Sequence, residues 1–183
     1  MGNGRLLRSV PNILTLINMS LGLSAVLILL QTDHPYKSFI APTLICLGGA
    51  LDFLDGFLAR KLNAVSAIGK QLDSFADLIT FGIAPILLIN YISLCKFPVF
   101  TIVASLVYIV AGAYRLARFN LSDFSKYFLG LPITIAGIVL AVYGAVYPFL
   151  FASFHSNIIS TIFIIALSIM MVSKKKVKRI TGN

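Results

Sequence analysis

The chain has 183 residues, of which 58% are hydrophobic and only 11% charged, and its formal net charge is +9. Soluble domains carry about 25% charged residues, so this composition excludes an ordinary soluble protein and indicates a polytopic membrane protein. We expect one compact membrane domain over residues 1–183, with no separate soluble domain.

The chain begins with a basic segment followed by an apolar run. Residues 1–10 carry Arg5 and Arg8 among apolar residues, which predicts a juxtamembrane segment that forms a short amphipathic helix on the membrane surface. The run 13–30 approaches the ~20 residues that span a bilayer. It is therefore predicted to be the first transmembrane helix, with Pro11 near its first turn.

Further apolar runs follow, separated by short polar segments. They predict spans over residues 36–60, 69–91, 97–120, 132–150 and 158–172. The fold class predicted is an all-α integral membrane protein with six transmembrane helices, a short N-terminal amphipathic surface helix and a basic tail over residues 173–183.

The distribution of basic residues indicates the orientation. If both termini lie on one side, that side collects all of the 15 Lys and Arg residues except Lys37 and Lys96. The positive-inside rule then places both termini and the basic tail in the cytoplasm. We therefore expect a multi-pass protein of the cell membrane.

Four of the six acidic residues lie within residues 52–77. Asp52 and Asp55 are spaced i,i+3, and Asp73 and Asp77 are spaced i,i+4, so each pair shares one helix face. The short polar connection 61–68 makes the two helices antiparallel neighbours, and their acidic faces can converge at a similar depth. Carboxylates inside a bilayer cost about 2.5–3.5 kcal/mol each even on insertion scales, so they mark a functional site.

Four carboxylates on two facing helices can bind two divalent cations. Mg²⁺ and Mn²⁺ prefer oxygen ligands, and two such ions ~3.5–4 Å apart clamp a phosphoryl group. Basic residues near the cluster suit an anionic substrate; they are Arg60, Lys61, Lys70, Arg115 and Arg118. A membrane phosphotransferase is the favoured interpretation, and a cation transporter with its ion site in the cluster is the distant alternative.

The motif over residues 52–77 reads D-x2-D-G-x2-A-R-x8-G-x3-D-x3-D. It resembles the motif of the CDP-alcohol phosphotransferase family at all its fixed positions, which are Asp52, Asp55, Gly56, Ala59, Arg60, Gly69, Asp73 and Asp77. The stretches PNxxTxxN at 11–18, YRLARFN at 114–120 and GLP at 130–132 are similar to the phosphatidylserine synthase branch. The resemblance covers about residues 11–135, and the last two spans match only in character.

The resemblance implies a metal-dependent transfer of a phosphatidyl group from a CDP-lipid, either CDP-diacylglycerol or CDP-archaeol, to the hydroxyl of L-serine, with release of CMP. Glycerol phosphate or an inositol phosphate are the alternative acceptors. It also implies two Mg²⁺ or Mn²⁺ ions, a homodimer among membrane lipids and an active site that faces the cytoplasm. No nucleic-acid partner is expected.

The resemblance assigns roles to particular residues. The metal ligands implied are Asp52, Asp55, Asp73 and Asp77, with Asp77 also the general base. The residues implied at the CDP-lipid are Asp52, Gly56, Ala59, Arg60 and Gly69. Asn12, Thr15 and Asn18 either cap the first helix or contact the nucleotide, and Asn12 and Thr15 are included in the predicted CDP-lipid site. Arg115 and Arg118, one helical turn apart, are our candidates for the serine carboxylate.

Overall fold

The structure is a computed structural model that describes residues 3–31, 36–92, 98–121, 127–150, 156–173 and 176–178. Its helices are α1 (Asn3–Leu30), α2 (Lys37–Lys61), α3 (Ala67–Asp77), α4 (Ala84–Ile92), α5 (Pro98–Leu121), α6 (Ile133–Leu150) and α7 (Ser156–Val172). A π-helical segment, Leu78–Ile83, joins α3 to α4. Two short strands, β1 (Tyr127–Leu129) and β2 (Lys176–Lys178), form an antiparallel pair.

The helical spans agree with the predicted spans to within a few residues at most ends, because long apolar runs fix where a helix can lie. Among the described residues, four helical segments are long and apolar enough to cross a membrane: Ser9–Leu30, Lys37–Lys61, Ala67–Ile92 and Val99–Leu121. The described apolar parts of the last two helices, Ile133–Tyr147 and Ile158–Val172, are shorter. The helical architecture with apolar helices of membrane-spanning length is confirmed, apart from the short β1–β2 pair. Six spans and the side on which the termini lie stay predictions.

The N-terminal region differs from its prediction. A separate surface helix over residues 1–10 was expected, but one continuous helix extends from Asn3 to Leu30 with Pro11 inside it. Pro11 is therefore well past the first turn. A proline removes only one backbone N–H, and the helix continues through it.

The segments α3, π and α4 form one continuous helical stretch, Ala67–Ile92, and the other helices pack around it in two groups. α1 lies along α2 and also contacts α3, the π segment and α4, while α6 packs across α2, α4 and the π segment. α5 packs mainly against α7 and touches the π segment. The π segment therefore lies at the centre of the bundle, and its Phe81 and Thr80 are fully buried.

The described segment 127–131, which follows α5 in the chain, is bound to the end of α7 and to residues 176–178, which the sequence did not predict. β1 pairs with β2, so residues 176–178 of the basic tail form part of the fold. The Leu131 N–H donates to the Met170 carbonyl at 3.0 Å, and Gly130 turns the chain with φ +73°. Only a residue without a Cβ adopts this left-handed conformation at little cost, which explains the glycine there. The rest of the predicted tail lies outside the described residues apart from Ser173.

Candidate active site

The carboxylates of α2 and α3 meet at the end of the bundle where these helices are connected. Asp52, Asp55 and Asp73 each place one oxygen within 4.8 Å of the others. Asp77 lies within hydrogen-bonding distance of Asp52 and is only 7% exposed. The i,i+3 and i,i+4 spacings put each pair on one face, and the short connection 62–66 turns the two faces towards each other. This convergence agrees with the sequence-based expectation.

Two threonine hydroxyls hold the carboxylates of α2. Thr15 on α1 donates to Asp55 at 2.6 Å, and Thr134 on α6 donates to Asp52 at 3.2 Å. Each bond fixes the direction in which an aspartate presents its other oxygen. Thr15 was expected to cap α1 or to contact a nucleotide; in the structure it binds Asp55. Thr134 was not predicted, because it is separated from its partner by 82 residues and belongs to no local pattern.

A cavity of about 450 Å³ opens beside the carboxylates. All residues that were predicted to hold metal or CDP-lipid line it, namely Asn12, Thr15, Asp52, Asp55, Gly56, Ala59, Arg60, Gly69, Asp73 and Asp77. Sequence reasoning did not include Phe53, Ser66 and Phe119, which also line it. Gly56 keeps the α2 wall open, since the nearest atom to a Cβ built there is an Arg60 nitrogen at 3.5 Å.

The lining of this cavity contains both acidic and basic side chains. It includes the four aspartates together with the exposed Arg60 and Lys70. The first turn of α3 also lies here, with the Ser66 hydroxyl accepting from the Gly69 N–H at 3.0 Å as the helix cap. Helix N-termini and basic side chains both favour anions, so the part of the lining near these groups suits phosphate.

The donor set suits a divalent cation. It consists of carboxylate oxygens, which are the ligands that hard ions such as Mg²⁺ and Mn²⁺ prefer. One oxygen of Asp77 is buried and has no hydrogen-bond partner among the described residues. A buried carboxylate oxygen without a donor is costly unless a cation faces it, so the cluster fits a bound metal.

The two arginines of α5 lie in different surroundings. Arg115 is buried, at 8% exposure, with its charge interacting with that of Asp77. Arg118 is one turn further, where it donates to the Val172 carbonyl at 3.4 Å and lies over the Tyr114 ring. Neither belongs to the described lining of the cavity. Arg115 is thus buried within electrostatic reach of the carboxylate cluster, and Arg118 is bonded to the end of α7.

Comparisons with known proteins agree with this geometry. A family model described as CDP-alcohol phosphatidyltransferase matches residues 8–176. The chain is 41% identical over 169 residues to a CDP-diacylglycerol–serine O-phosphatidyltransferase of Bacillus subtilis, which covers 91% of this chain and 88% of that protein.

Two archaeal proteins are also similar. An archaetidylserine synthase of Methanothermobacter thermautotrophicus is 33% identical over 177 residues, 95% of this chain and 71% of that protein. A CDP-diacylglycerol–serine O-phosphatidyltransferase of Methanocaldococcus jannaschii is 31% identical over 170 residues, 92% of this chain and 73% of that protein.

Proposed function

The chain belongs to the CDP-alcohol phosphatidyltransferase family, and on this premise we propose that it transfers a phosphatidyl group from a CDP-lipid to the hydroxyl of L-serine. The family predicted from the motif over residues 52–77 is confirmed. The observation that carries the proposal is a cavity of about 450 Å³ whose lining holds both carboxylates and basic groups. A diphosphate needs both, since cations held by the carboxylates and the basic side chains can share its charge. The family supports a transferase over the cation transporter that the aspartates alone left open.

The proposed donor site follows the lining of the cavity. The CDP part of the lipid lies against Gly56, Ala59 and Gly69, whose small side chains let it approach the backbones of α2 and α3. Arg60 faces the phosphates. Asn12 and Thr15 of α1 also line the site. The Thr15 hydroxyl donates to the Asp55 carboxylate.

The proposed metal site is formed by Asp52, Asp55, Asp73 and Asp77, and the ions proposed are two Mg²⁺ or Mn²⁺. When bound, they would supply charge neutralisation for the diphosphate and for the leaving CMP. Thr134 and Thr15 orient two of the four ligands.

The chemistry proposed is a single displacement at phosphorus. The serine hydroxyl oxygen forms a bond to the phosphorus that carries the lipid, and the bond from this phosphorus to the bridging oxygen of CMP breaks. Asp77 accepts the hydroxyl proton as general base, and its burial beside Asp52 keeps bulk water away from this transfer. CMP leaves with its negative charge near Arg60.

Arg115 and Arg118 are proposed to receive the serine carboxylate. The burial of Arg115 beside Asp77 supports its part, because a serine with its hydroxyl at Asp77 has its carboxylate only a few bonds away. Arg118 is already bonded to the end of α7, which assigns it the smaller part. We expect Arg115→Ala to raise the KM for serine by about tenfold or more, the cost of one charge-assisted contact, while leaving CDP-lipid binding unchanged. Arg118→Ala is the matched comparison, and an unchanged serine KM in both variants would contradict the assignment.

The remaining parts of the proposal concern the setting. We propose six membrane spans, both termini and the cavity on the cytoplasmic side of the cell membrane, and a homodimer in the lipid bilayer. Cysteine labelling from either side of sealed vesicles tests the orientation. The mass of the detergent-solubilised protein, corrected for detergent, tests the dimer.

The experiment that tests the reaction uses the purified full chain in mixed micelles. CDP-diacylglycerol and CDP-archaeol are each offered with L-serine, glycerol 3-phosphate or an inositol phosphate, and CMP and lipid products are measured. We expect CMP release with serine, loss of it with a chelator and recovery on adding Mg²⁺ or Mn²⁺. CMP release with glycerol 3-phosphate but not with serine would show that the acceptor is glycerol 3-phosphate. The absence of CMP release with every donor–acceptor pair would refute the proposed function.

A further inference from the structure

The helix geometry changes immediately after Asp77. This residue ends α3, and the next six residues form the π segment, in which the Ala84 N–H donates to the Ile79 carbonyl five residues back. A π turn contains one more residue than an α turn, and such insertions are frequent at functional sites. The proposed general base thus lies directly on the joint between two helix geometries.

A proline removes one backbone donor just after the π segment. In an α-helix the Phe81 carbonyl would accept from residue 85, but Pro85 has no N–H. The hydroxyl of Tyr108 on α5 donates to this carbonyl at 3.0 Å instead. Tyr108 and Phe81 are both fully buried, so no water replaces this bond. A side chain from another helix therefore adds a hydrogen bond to the backbone of the segment.

The backbone around Phe81 is also held on the side of α6. A Cβ on Gly137 would lie 2.6 Å from the Phe81 Cα and 2.7 Å from its carbonyl oxygen, closer than such atoms can approach. On the other side, Thr80 donates to the Asn18 carbonyl of α1 at 3.1 Å. A Cβ on Gly22 of α1 or on Gly48 of α2 would lie too close to Thr80, so both helices pack directly against this residue. Four helices thus fix the π segment in one position.

We propose that Tyr108 is a positioning residue for the transfer reaction, acting through the Phe81 carbonyl to fix the direction of Asp77. The inference rests on the proposed function. If the hydroxyl is removed, the buried Phe81 carbonyl loses this donor, which favours rewinding of the segment. Each residue gained or lost in a helix rotates the two parts of the helix on either side of it by about 100° relative to each other. Even partial rewinding turns Asp77 relative to Asp52 and weakens the carboxylate cluster as a metal site.

The test compares two tyrosine variants that each lose one hydroxyl and keep the ring. Tyr108→Phe removes the donor to Phe81. Tyr143→Phe on α6 is the control, because its hydroxyl lies 2.9 Å from the Ser160 hydroxyl on α7, away from the cavity lining. We expect Tyr108→Phe to lower kcat by about five- to tenfold, the loss of one buried hydrogen bond, with the KM for CDP-lipid changed less than about twofold. Tyr143→Phe should leave both constants within about twofold of the original.

A second readout measures metal binding without turnover. The affinity for Mn²⁺ is measured from the paramagnetic resonance signal of the free ion, on both variants and the original chain. We expect Tyr108→Phe to weaken Mn²⁺ binding by about fivefold, since one ligand of the cluster moves, and Tyr143→Phe to leave it unchanged. A purely structural role for Tyr108 would lower the unfolding temperature and leave the Mn²⁺ affinity as it was.

The outcomes separate this inference from the proposed function. An original chain that releases CMP, together with a Tyr108→Phe variant of unchanged kcat and Mn²⁺ affinity, overturns the inference alone. An original chain without CMP release removes the proposed function, and the Mn²⁺ comparison still decides whether Tyr108 positions the cluster. If Tyr108→Phe does not fold, Pro85→Ala replaces it, since the new N–H competes with the hydroxyl for the Phe81 carbonyl. An unchanged kcat and Mn²⁺ affinity in Pro85→Ala would then overturn the inference.

Discussion

Replacing Gly56 by valine tests binding of the nucleotide separately from binding of the metal ions. A Cβ at this position meets only an Arg60 nitrogen at 3.5 Å, an ordinary contact, so the free protein accommodates the side chain. Glycine is also a poorer helix former than valine, and the unfolding temperature should not fall. The same side chain projects into the cavity of about 450 Å³ where the donor is proposed to lie. Overfilling a packed site costs about 1–3 kcal/mol, which corresponds to a rise of about 5- to 150-fold in the KM for CDP-lipid.

The assay is CMP release over a titration of CDP-diacylglycerol, with Mn²⁺ affinity measured alongside. Ala50→Val is the matched control, because Ala50 is on the same helix, exposed and outside the described lining of the cavity. We expect Gly56→Val to keep Mn²⁺ affinity and lose donor binding, and Ala50→Val to keep both. A Gly56→Val variant with an unchanged donor KM would refute the placement of the CDP group against α2.

Two further predictions concern a ligand-orienting hydroxyl and a turn. Thr134→Val removes the donor to Asp52 without changing side-chain shape, and kcat should fall by about two- to tenfold, the range for one hydrogen bond. Thr43→Val, which loses only a bond to its own helix on an exposed face, should leave kcat unchanged; equal effects in the two variants would contradict the role. Gly130→Ala places a Cβ at φ +73°, which costs about 1–2 kcal/mol and should lower the unfolding temperature by about 2–8 °C. Gly56→Ala, with room for its Cβ, should not lower it, and a Gly130→Ala protein as stable as the original would show that the turn can rearrange.

The sequence by itself determined the membrane class, most helix boundaries and the acidic cluster. Apolar runs of about 20 residues can satisfy their backbone groups in lipid only as helices, so their limits follow from composition. The spacing of Asp52 with Asp55, and of Asp73 with Asp77, places each pair on one face of its helix. The connection between the two helices is short, so the helices must lie side by side. The motif over residues 52–77 then identified the family. These features are local, or separated by about 25 residues, and helix periodicity is enough to read them.

Only the tertiary structure decided which side chains support the cluster. Thr134 reaches Asp52 from a helix 82 residues away, and Tyr108 reaches the Phe81 carbonyl from another, and periodicity within one helix cannot predict either bond. The sequence treated Arg115 and Arg118 alike, but in the structure Arg115 is buried within electrostatic reach of Asp77, and Arg118 donates to the last turn of α7. The same holds for the pairing of β1 with the tail. Which partners meet across a bundle depends on how helices cross and on where small residues let them approach, and that is settled only when all the helices pack together.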